Sequence, residues 1–187
     1  DWDNIENEVA YVGGISKIRG IEQVVNSLNL LNTPTKLNLV GSFGEKSTYE
    51  NVQKSAGWAR VNELGQLDRY QVKEILQSSV AGLVTFLPVP NHIDAQPNKM
   101  FEYMSAGIPI IGSNYPLWKS IIEGNKCGIC VDPEDPKQIA SAIDKLVNDK
   151  TLAEQMGKNG IKAVNEKYNW FIEETKLFQL YEELLGN

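Results

Sequence analysis

The stretch VAGLVTFLPVPNHIDAQPNKMFEYMSAGIPIIGS, residues 80–113, decides the fold class. It begins with an unbroken apolar run, Val80–Leu87, which is typical of a strand buried on both faces of a parallel sheet. A loop rich in proline and asparagine follows, and then a predicted helix, Asn98–Ala106, and a second apolar strand, Ile108–Ser113. Two strands joined by a crossover helix are the repeating unit of parallel α/β sheets, so the sequence predicts that class.

The same alternation of strands and helices extends in both directions. On the N-terminal side the pattern predicts strands over Glu8–Ile15, Lys36–Ser42 and Val61–Gly65, each followed by a helix. On the C-terminal side it predicts a last short strand, Gly128–Asp132, and then helices only, with residues 168–187 as the terminal helix. We therefore predict one doubly wound α/β domain over the whole chain, with a helical C-terminal extension.

Composition and charge exclude several classes of protein. With 42% apolar and 22% charged residues, the chain has the composition of a globular domain with a core. Its 24 acidic residues outnumber its 18 basic ones, which argues against nucleic acid as a partner because phosphate-backbone binding needs a basic face. The longest apolar stretch is about half of the roughly 20 residues that a membrane span needs. Two cysteines are too few for a disulfide framework and fit a cytoplasmic location.

The loop after the first predicted strand, Gly13–Gly20, is a candidate phosphate site. Ligands of open parallel sheets bind at the carboxyl ends of the strands. Gly13 and Gly14 let a ligand approach the backbone, and Arg19 stands at the start of the next helix, where its guanidinium and the helix dipole both favour a diphosphate. An ordinary tight turn with a solvated arginine explains the same residues, since the loop lacks the GxGxxG spacing. Both interpretations stay open at this point.

The start of the helix Asn98–Ala106 is the most informative segment for function. Pro97 is well placed at or before the first helical position, where its missing N–H costs nothing. The backbone amides of Asn98, Lys99 and Met100 are then expected to be free and to point outward from the helix. Such a helix start is a natural site for an anion.

Two carboxylates flank this helix start. Glu102 lies about one turn into the helix, on the face of Asn98, where a carboxylate repels phosphate but suits a diol such as a ribose. Asp94 precedes it in the loop and can accept hydroxyls of a second sugar-like group. The plainer interpretations are a solvated helix residue and a turn former, and spacing alone favours them.

Longer stretches of the chain resemble the family 4 (group 1) glycosyltransferases, which have the GT-B architecture. The segment PNKMFEYMSAGIPIIGS, residues 97–113, resembles the nucleotide-sugar segment of that family. Similarity continues through YVGGISKIRGIEQVV (11–25), LNLVGSFG (37–44), VNELGQLDRYQVKEIL (61–76), KCGICVDPEDPKQIASAI (126–143) and KYNWFIEETKLFQLYEELL (167–185). The resemblance covers residues 8–185 in order, so it is more specific than any single motif.

The resemblance implies a Rossmann-like sheet that forms the C-terminal, donor-binding half of a GT-B fold. It implies transfer of a glycosyl group from a UDP- or GDP-sugar to a glycan or glycolipid acceptor, with retention at the anomeric carbon and with neither metal nor cofactor. The acceptor-binding N-terminal domain, absent from this chain, is the expected partner, and the isolated chain is expected to be inactive without it. Members of the family often build bacterial surface polysaccharides, in the cytoplasm or at the inner face of the membrane.

The resemblance also assigns roles to single residues. Glu102 matches the second Glu of the family's E-x7-E motif, which holds the donor ribose, and Asp94 stands at the first Glu, which contacts the transferred sugar. The amides of Asn98–Met100 match groups that meet the diphosphate and the sugar. Gly65 and Leu67 match positions that meet the base.

The family neutralises the departing diphosphate with an Arg/Lys pair, and this chain departs from that pattern. Arg19 matches the lysine of the pair. Gly14 stands where the arginine usually is, so one of the two cations is missing. Lys17 and Lys99 are the candidates that could replace it.

Of three alternative functions, one is another enzyme and two belong to other classes. A non-catalytic nucleotide- or sugar-binding module would have the same site, and the residues encoded before Asp1 would separate it from an enzyme. A GT-B-like sugar-nucleotide epimerase fits the C-terminal helical pattern less well. A response-regulator domain needs clustered acidic residues after the first strand, and Gly13–Ser16 contains none.

Overall fold

The computed structural model describes Trp2 and residues 5–169. The strands are β1 (Glu8–Val12), β2 (Lys36–Val40), β3 (Val61–Gly65), β4 (Ala81–Val84), β5 (Ile110–Ser113) and β6 (Gly128–Val131). They form one sheet in the order β3-β2-β1-β4-β5-β6, and every neighbouring pair is parallel. This is the strand order of the Rossmann fold, so the predicted doubly wound parallel sheet is confirmed.

Helices cover both faces of the sheet. They are α1 (Ile21–Leu28), α2 (Lys46–Gln53), α3 (Arg69–Ser78), α4 (Pro90–Ile93), α5 (Asn98–Ala106), α6 (Pro116–Ile122), α7 (Pro136–Asn148) and α8 (Lys150–Lys167). Helices α1 and α7 pack on one apolar core with strand residues such as Val9 and Leu37, and α3, α5 and α6 pack on the other with Ala10 and Val84. None of the described helices is long and apolar enough to cross a membrane.

Helix boundaries follow local signals in the sequence. The predicted helix Asn98–Ala106 is found with the same limits, because Pro97 caps its start and Gly107 ends it. Helix α3 begins with a capping box, in which the Asp68 carboxylate accepts the amide of Gln71 and the Gln71 side chain accepts the amide of Asp68.

Strand β3 has its predicted limits, and the other five strands are shorter than the runs that predicted them. Strand β5 begins at Ile110 because Pro109 has no N–H to donate to the ladder. Strand β1 ends at Val12, before the turn at Gly13. The predicted terminal helix over residues 168–187 lies outside the described residues, except for Tyr168 and Asn169, which follow the last residue of α8.

The topology places a crevice where the functional residues were expected. The order of the strands reverses between β1 and β4, and ligands of doubly wound sheets bind outside the carboxyl ends of the strands at such a point. The loops that leave these two strands are residues 13–20 and 85–97. They contain Arg19 and Asp94 and lead to the start of α5.

Candidate functional site

The turn after β1 has a tight backbone. Gly13 has a φ of +116°, a region that side chains rarely adopt, and its N–H donates to the carbonyl of Val40 at 2.9 Å. The Gly14 carbonyl accepts two hydrogen bonds, from the Tyr11 hydroxyl and from Nη1 of Arg19, each at 3.1 Å. A β-carbon built on Gly14 would overlap that guanidinium nitrogen. Arg19 therefore fills the space that a side chain at position 14 would take.

The start of α5 offers fewer free amides than the sequence predicted. Among the described residues, no hydrogen-bond partner is found for the N–H groups of Asn98 and Lys99. The N–H of Met100 donates to the Pro97 carbonyl at 3.0 Å, and the Met100 side chain is fully buried. The prediction of a free amide at Met100 is therefore corrected, because the first turn of the helix closes on Pro97.

Two buried aromatic side chains hold α5 and its loop against the sheet. The Tyr103 hydroxyl accepts the N–H of Val12 at 3.1 Å and donates to the carbonyl of Leu83 at 3.3 Å. The indole N–H of Trp118 donates to the carbonyl of Ala95 at 2.8 Å. The start of α5 is thus fixed relative to the ends of β1 and β4, so a ligand meets a preformed surface.

Lys99 is a buried ammonium group with no hydrogen-bond partner. Lys99 is 8% exposed, and its Nζ lies 4.2 Å from the ring centre of Tyr11 and 5.1 Å from that of Phe86. Burial lowers the pKa of Lys99 to about 7; the nearby Arg19 lowers it as well, and Glu102 acts in the opposite direction.

Two cavities lie side by side at this edge of the sheet. The smaller, about 340 Å³, is lined by Gly13, Arg19, Phe86, Gln96 and Lys99, among others. The larger, about 840 Å³, has an apolar wall made by Leu67, Val72, Leu76 and Phe101. Val12, Asn98 and Glu102 line both cavities. Glu102 therefore stands at the boundary between a cationic cavity and an apolar one.

The structure gathers some of the predicted residues and leaves others apart. Five of them line the two cavities: Arg19, Asn98, Lys99 and Glu102 line the smaller, and Leu67, Asn98 and Glu102 line the larger. Five line neither cavity: Gly14, Lys17, Gly65, Asp94 and Met100. Asp94 is exposed at the end of α4, and the carbonyl of Gly65 accepts a hydrogen bond from the N–H of Gly41.

The sequence did not indicate that two aromatic side chains lie against the Lys99 ammonium. Tyr11 and Phe86 belong to apolar runs that were assigned to the core, and both are in fact buried. The contact of both rings with the Lys99 ammonium is seen only in the structure, because Lys99 is distant from them in the sequence. Within the described residues, no group of three or more acidic, histidine or cysteine side chains is placed to hold a metal ion.

Comparison with known proteins gives consistent matches along the chain. A family model described as "Glycosyl transferases group 1" matches residues 1–163. The capsular polysaccharide biosynthesis glycosyltransferase CapM of Staphylococcus aureus is 26% identical over 180 residues, which are 95% of this chain and 46% of CapM. The chain thus spans about half the length of such curated relatives.

Solved structures share the fold. Sucrose-phosphate synthase from Thermosynechococcus elongatus superposes with a TM-score of 0.82 and 25% identity, over 99% of this chain and 46% of that one. Anabaena HepE in complex with UDP superposes with a TM-score of 0.81 and 15% identity, over 97% of this chain and 50% of that one.

Proposed function

Since the chain belongs to the group 1 glycosyl transferase family, we propose that it is the donor-binding half of an enzyme that transfers a glycosyl group from a nucleoside-diphosphate sugar. The acceptor side is proposed to come from an N-terminal domain of the same protein, because the curated relatives are about twice as long as this chain. The whole of residues 1–187 is then one domain, and without its partner it binds the donor but transfers nothing.

The observation that carries this proposal is the pair of adjoining cavities that meet at Glu102. The apolar cavity has room for a nucleobase, and the cationic cavity, with Arg19 and Lys99, suits the diphosphate. Between base and diphosphate a nucleotide carries its ribose, and there the Glu102 carboxylate can accept both ribose hydroxyls. The order of chemical groups along the crevice is thus the order along a nucleoside diphosphate.

The proposed mechanism rests on fixed charge at the leaving group. When the glycosyl bond breaks, the nucleoside diphosphate gains negative charge while the sugar becomes oxocarbenium-like. The Arg19 guanidinium and the free amides of Asn98 and Lys99 are already in place to stabilise that charge without reorganising. We propose that these groups take the role that a metal ion has in other transferases, so that transfer needs no metal. Retention at the anomeric carbon is proposed from the family resemblance. Asp94 is proposed to contact the sugar hydroxyls once the second domain closes over its exposed loop.

The substrates are proposed from the relatives. HepE has been solved with UDP, and we propose a UDP- or GDP-sugar as the donor here. CapM is named for capsular polysaccharide biosynthesis, and we propose a glycan or glycolipid as the acceptor, reached in the cytoplasm or at the inner face of the membrane.

Calorimetric titration of the chain with UDP, GDP and ADP tests the proposal. One nucleotide is expected to bind in preference to the others, and Glu102→Ala is expected to weaken it by about 10-fold or more, the loss typical of a hydrogen bond to a charged group. Glu74→Ala is the matched control, since Glu74 is exposed on α3 and lines neither cavity. Binding of all three nucleotides with equal affinity in every variant would contradict the proposed site.

A further inference from the structure

The buried ammonium of Lys99 is unusual because it makes neither a hydrogen bond nor a salt bridge within the described residues. Buried charges are normally paired or hydrogen-bonded, since removing an ammonium group from water is expensive. Lys99 Nζ has no hydrogen-bond partner, and its near neighbours are the faces of the Tyr11 and Phe86 rings. Aromatic faces attract a cation, but they leave its three N–H donors unused. A group kept at such an expense to stability is expected to serve a ligand.

The glycine turn leaves room for this ammonium. A β-carbon built on Gly13 would lie 3.3 Å from Lys99 Nζ, which is tighter than most side-chain contacts. At the next position, a β-carbon on Gly14 would overlap the guanidinium of Arg19. Each glycine of the turn therefore has a cation of the chain beside it, and both cations line the smaller cavity.

We propose that the Lys99 ammonium is the second cation on the donor's diphosphate, and that it supplies from α5 the charge that Gly14 cannot supply from the turn. This inference rests on the proposed function. Lys17, the other candidate, is exposed and does not line the cavity. Lys99 and Arg19 reach the same cavity from different elements, so a bound diphosphate would be held between the turn after β1 and the start of α5.

Binding of a diphosphate is then coupled to a proton. The charged groups that act on Lys99 are Arg19 and Glu102; the Tyr11 ring lies against its ammonium, and Tyr103 interacts with Tyr11. Burial raises the pKa of both tyrosines, so they stay neutral near neutral pH, and Lys99 is the group that titrates. With the pKa of Lys99 at about 7, a large share of the empty protein carries a neutral amine at pH 7.5. An anionic diphosphate raises that pKa, and the amine takes up a proton.

The test is calorimetry at pH 7.5 in two buffers of different ionisation enthalpy, with the nucleoside diphosphate that the wild type binds and with the matching free nucleoside. Lys99→Met keeps the length and apolar stem of the side chain. It is expected to weaken the diphosphate by about 10- to 100-fold, to leave the nucleoside unchanged and to abolish proton uptake. Lys99→Arg is expected to retain part of the affinity without proton uptake, because an arginine is already charged. Lys46→Met is the matched control, since Lys46 is an exposed lysine at the start of α2.

The outcomes separate this inference from the proposed function. If Lys99→Met binds the diphosphate as tightly as the wild type and takes up as many protons, the inference is overturned and the donor site stands. If the wild type binds no nucleotide, the proposed function falls and the inference falls with it. Should Lys99→Met lose its fold by circular dichroism, NMR titration of the Lys99 side chain in the wild type decides: a pKa raised by the nucleotide supports the inference, and an unchanged pKa overturns it.

Discussion

The Arg19 guanidinium folds back over Gly14 and donates to its carbonyl at 3.1 Å. The guanidinium fills the space that a side chain at position 14 would take, and it also lies over the ring of Phe86, 5.6 Å from the ring centre. Because this hydrogen bond holds the guanidinium in place, Arg19 lines the cationic cavity before any ligand binds. The absence of a side chain at position 14 and the position of the Arg19 guanidinium are therefore linked.

This link predicts that Gly14→Ala acts on binding more than on stability. The added methyl meets only the far end of a flexible side chain, so the free energy of unfolding is expected to change by less than about 1 kcal/mol. Arg19 has to leave the Gly14 carbonyl, and the affinity for a nucleoside diphosphate is expected to fall several-fold. Urea denaturation and calorimetry measure the two effects; unchanged affinity would show that the seat of Arg19 is irrelevant to the ligand.

Gly20→Ala is predicted to lower the stability of the fold strongly. Gly20 has a φ of +79°, and a β-carbon there would overlap the backbone carbonyl of Thr85, which cannot rotate away. The free energy of unfolding is expected to fall by about 2 kcal/mol or more in urea denaturation. Gly44→Ala is the control, because its nearest neighbour would be 3.8 Å away. Equal stability of the two variants would contradict the close approach of the loops after β1 and β4.

Tyr103→Phe is predicted to weaken the attachment of α5 to the sheet. The substitution removes the hydroxyl that accepts the Val12 amide and leaves that buried amide without its partner. The free energy of unfolding is expected to fall by about 1–3 kcal/mol. Tyr70→Phe, on a residue that is 83% exposed, is expected to change nothing. Thermal denaturation of both variants measures the difference, and equal melting temperatures would refute the role of this hydroxyl.

Lys99→Met is predicted to alter how stability depends on pH. The pKa of Lys99 is about 7 in the folded chain and has its ordinary value of 10.5 when the chain is unfolded. Between those values the unfolded chain binds more protons, so the wild type gains stability as the pH rises from 7 to 10. At pH 6 the variant is expected to be more stable by on the order of 2 kcal/mol, since the lost ring contacts offset part of a larger electrostatic gain. Urea denaturation between pH 6 and 10 should show the gap narrowing; a gap independent of pH would contradict the buried, neutralised amine.

Much of the fold was predictable because its signals are local. The apolar run Val80–Leu87 predicts a buried parallel strand, and Pro97 and Gly107 mark the two ends of α5. Strand ends were predicted too long, since apolar residues such as Ile108 remain buried beyond the last hydrogen bond of the ladder.

The site was only partly predictable because it depends on contacts between distant residues. Glu102 and Arg19 were predicted from the resemblance, since their spacing alone left the plainer interpretations open, and the structure places both on one cavity. No spacing relates Lys99 to Tyr11 or to Gly13, and a lysine at a helix start is ordinarily solvated. The prediction of a free amide at Met100 was wrong for a related reason. Residue types alone do not show that the Met100 amide bonds to the Pro97 carbonyl in the first turn of the helix.

The central claim, that Glu102 holds the ribose of a nucleoside diphosphate between two cavities, is tested most directly by removing the carboxylate and the hydroxyl in turn. Calorimetry compares a ribonucleoside diphosphate with its 2′-deoxy form on the wild type and on Glu102→Ala. The wild type is predicted to favour the ribonucleotide by about 10-fold, the size of one hydrogen bond to a charged group, and the variant to bind both forms equally. Discrimination that survives in Glu102→Ala would contradict the claim and place the ribose elsewhere in the crevice.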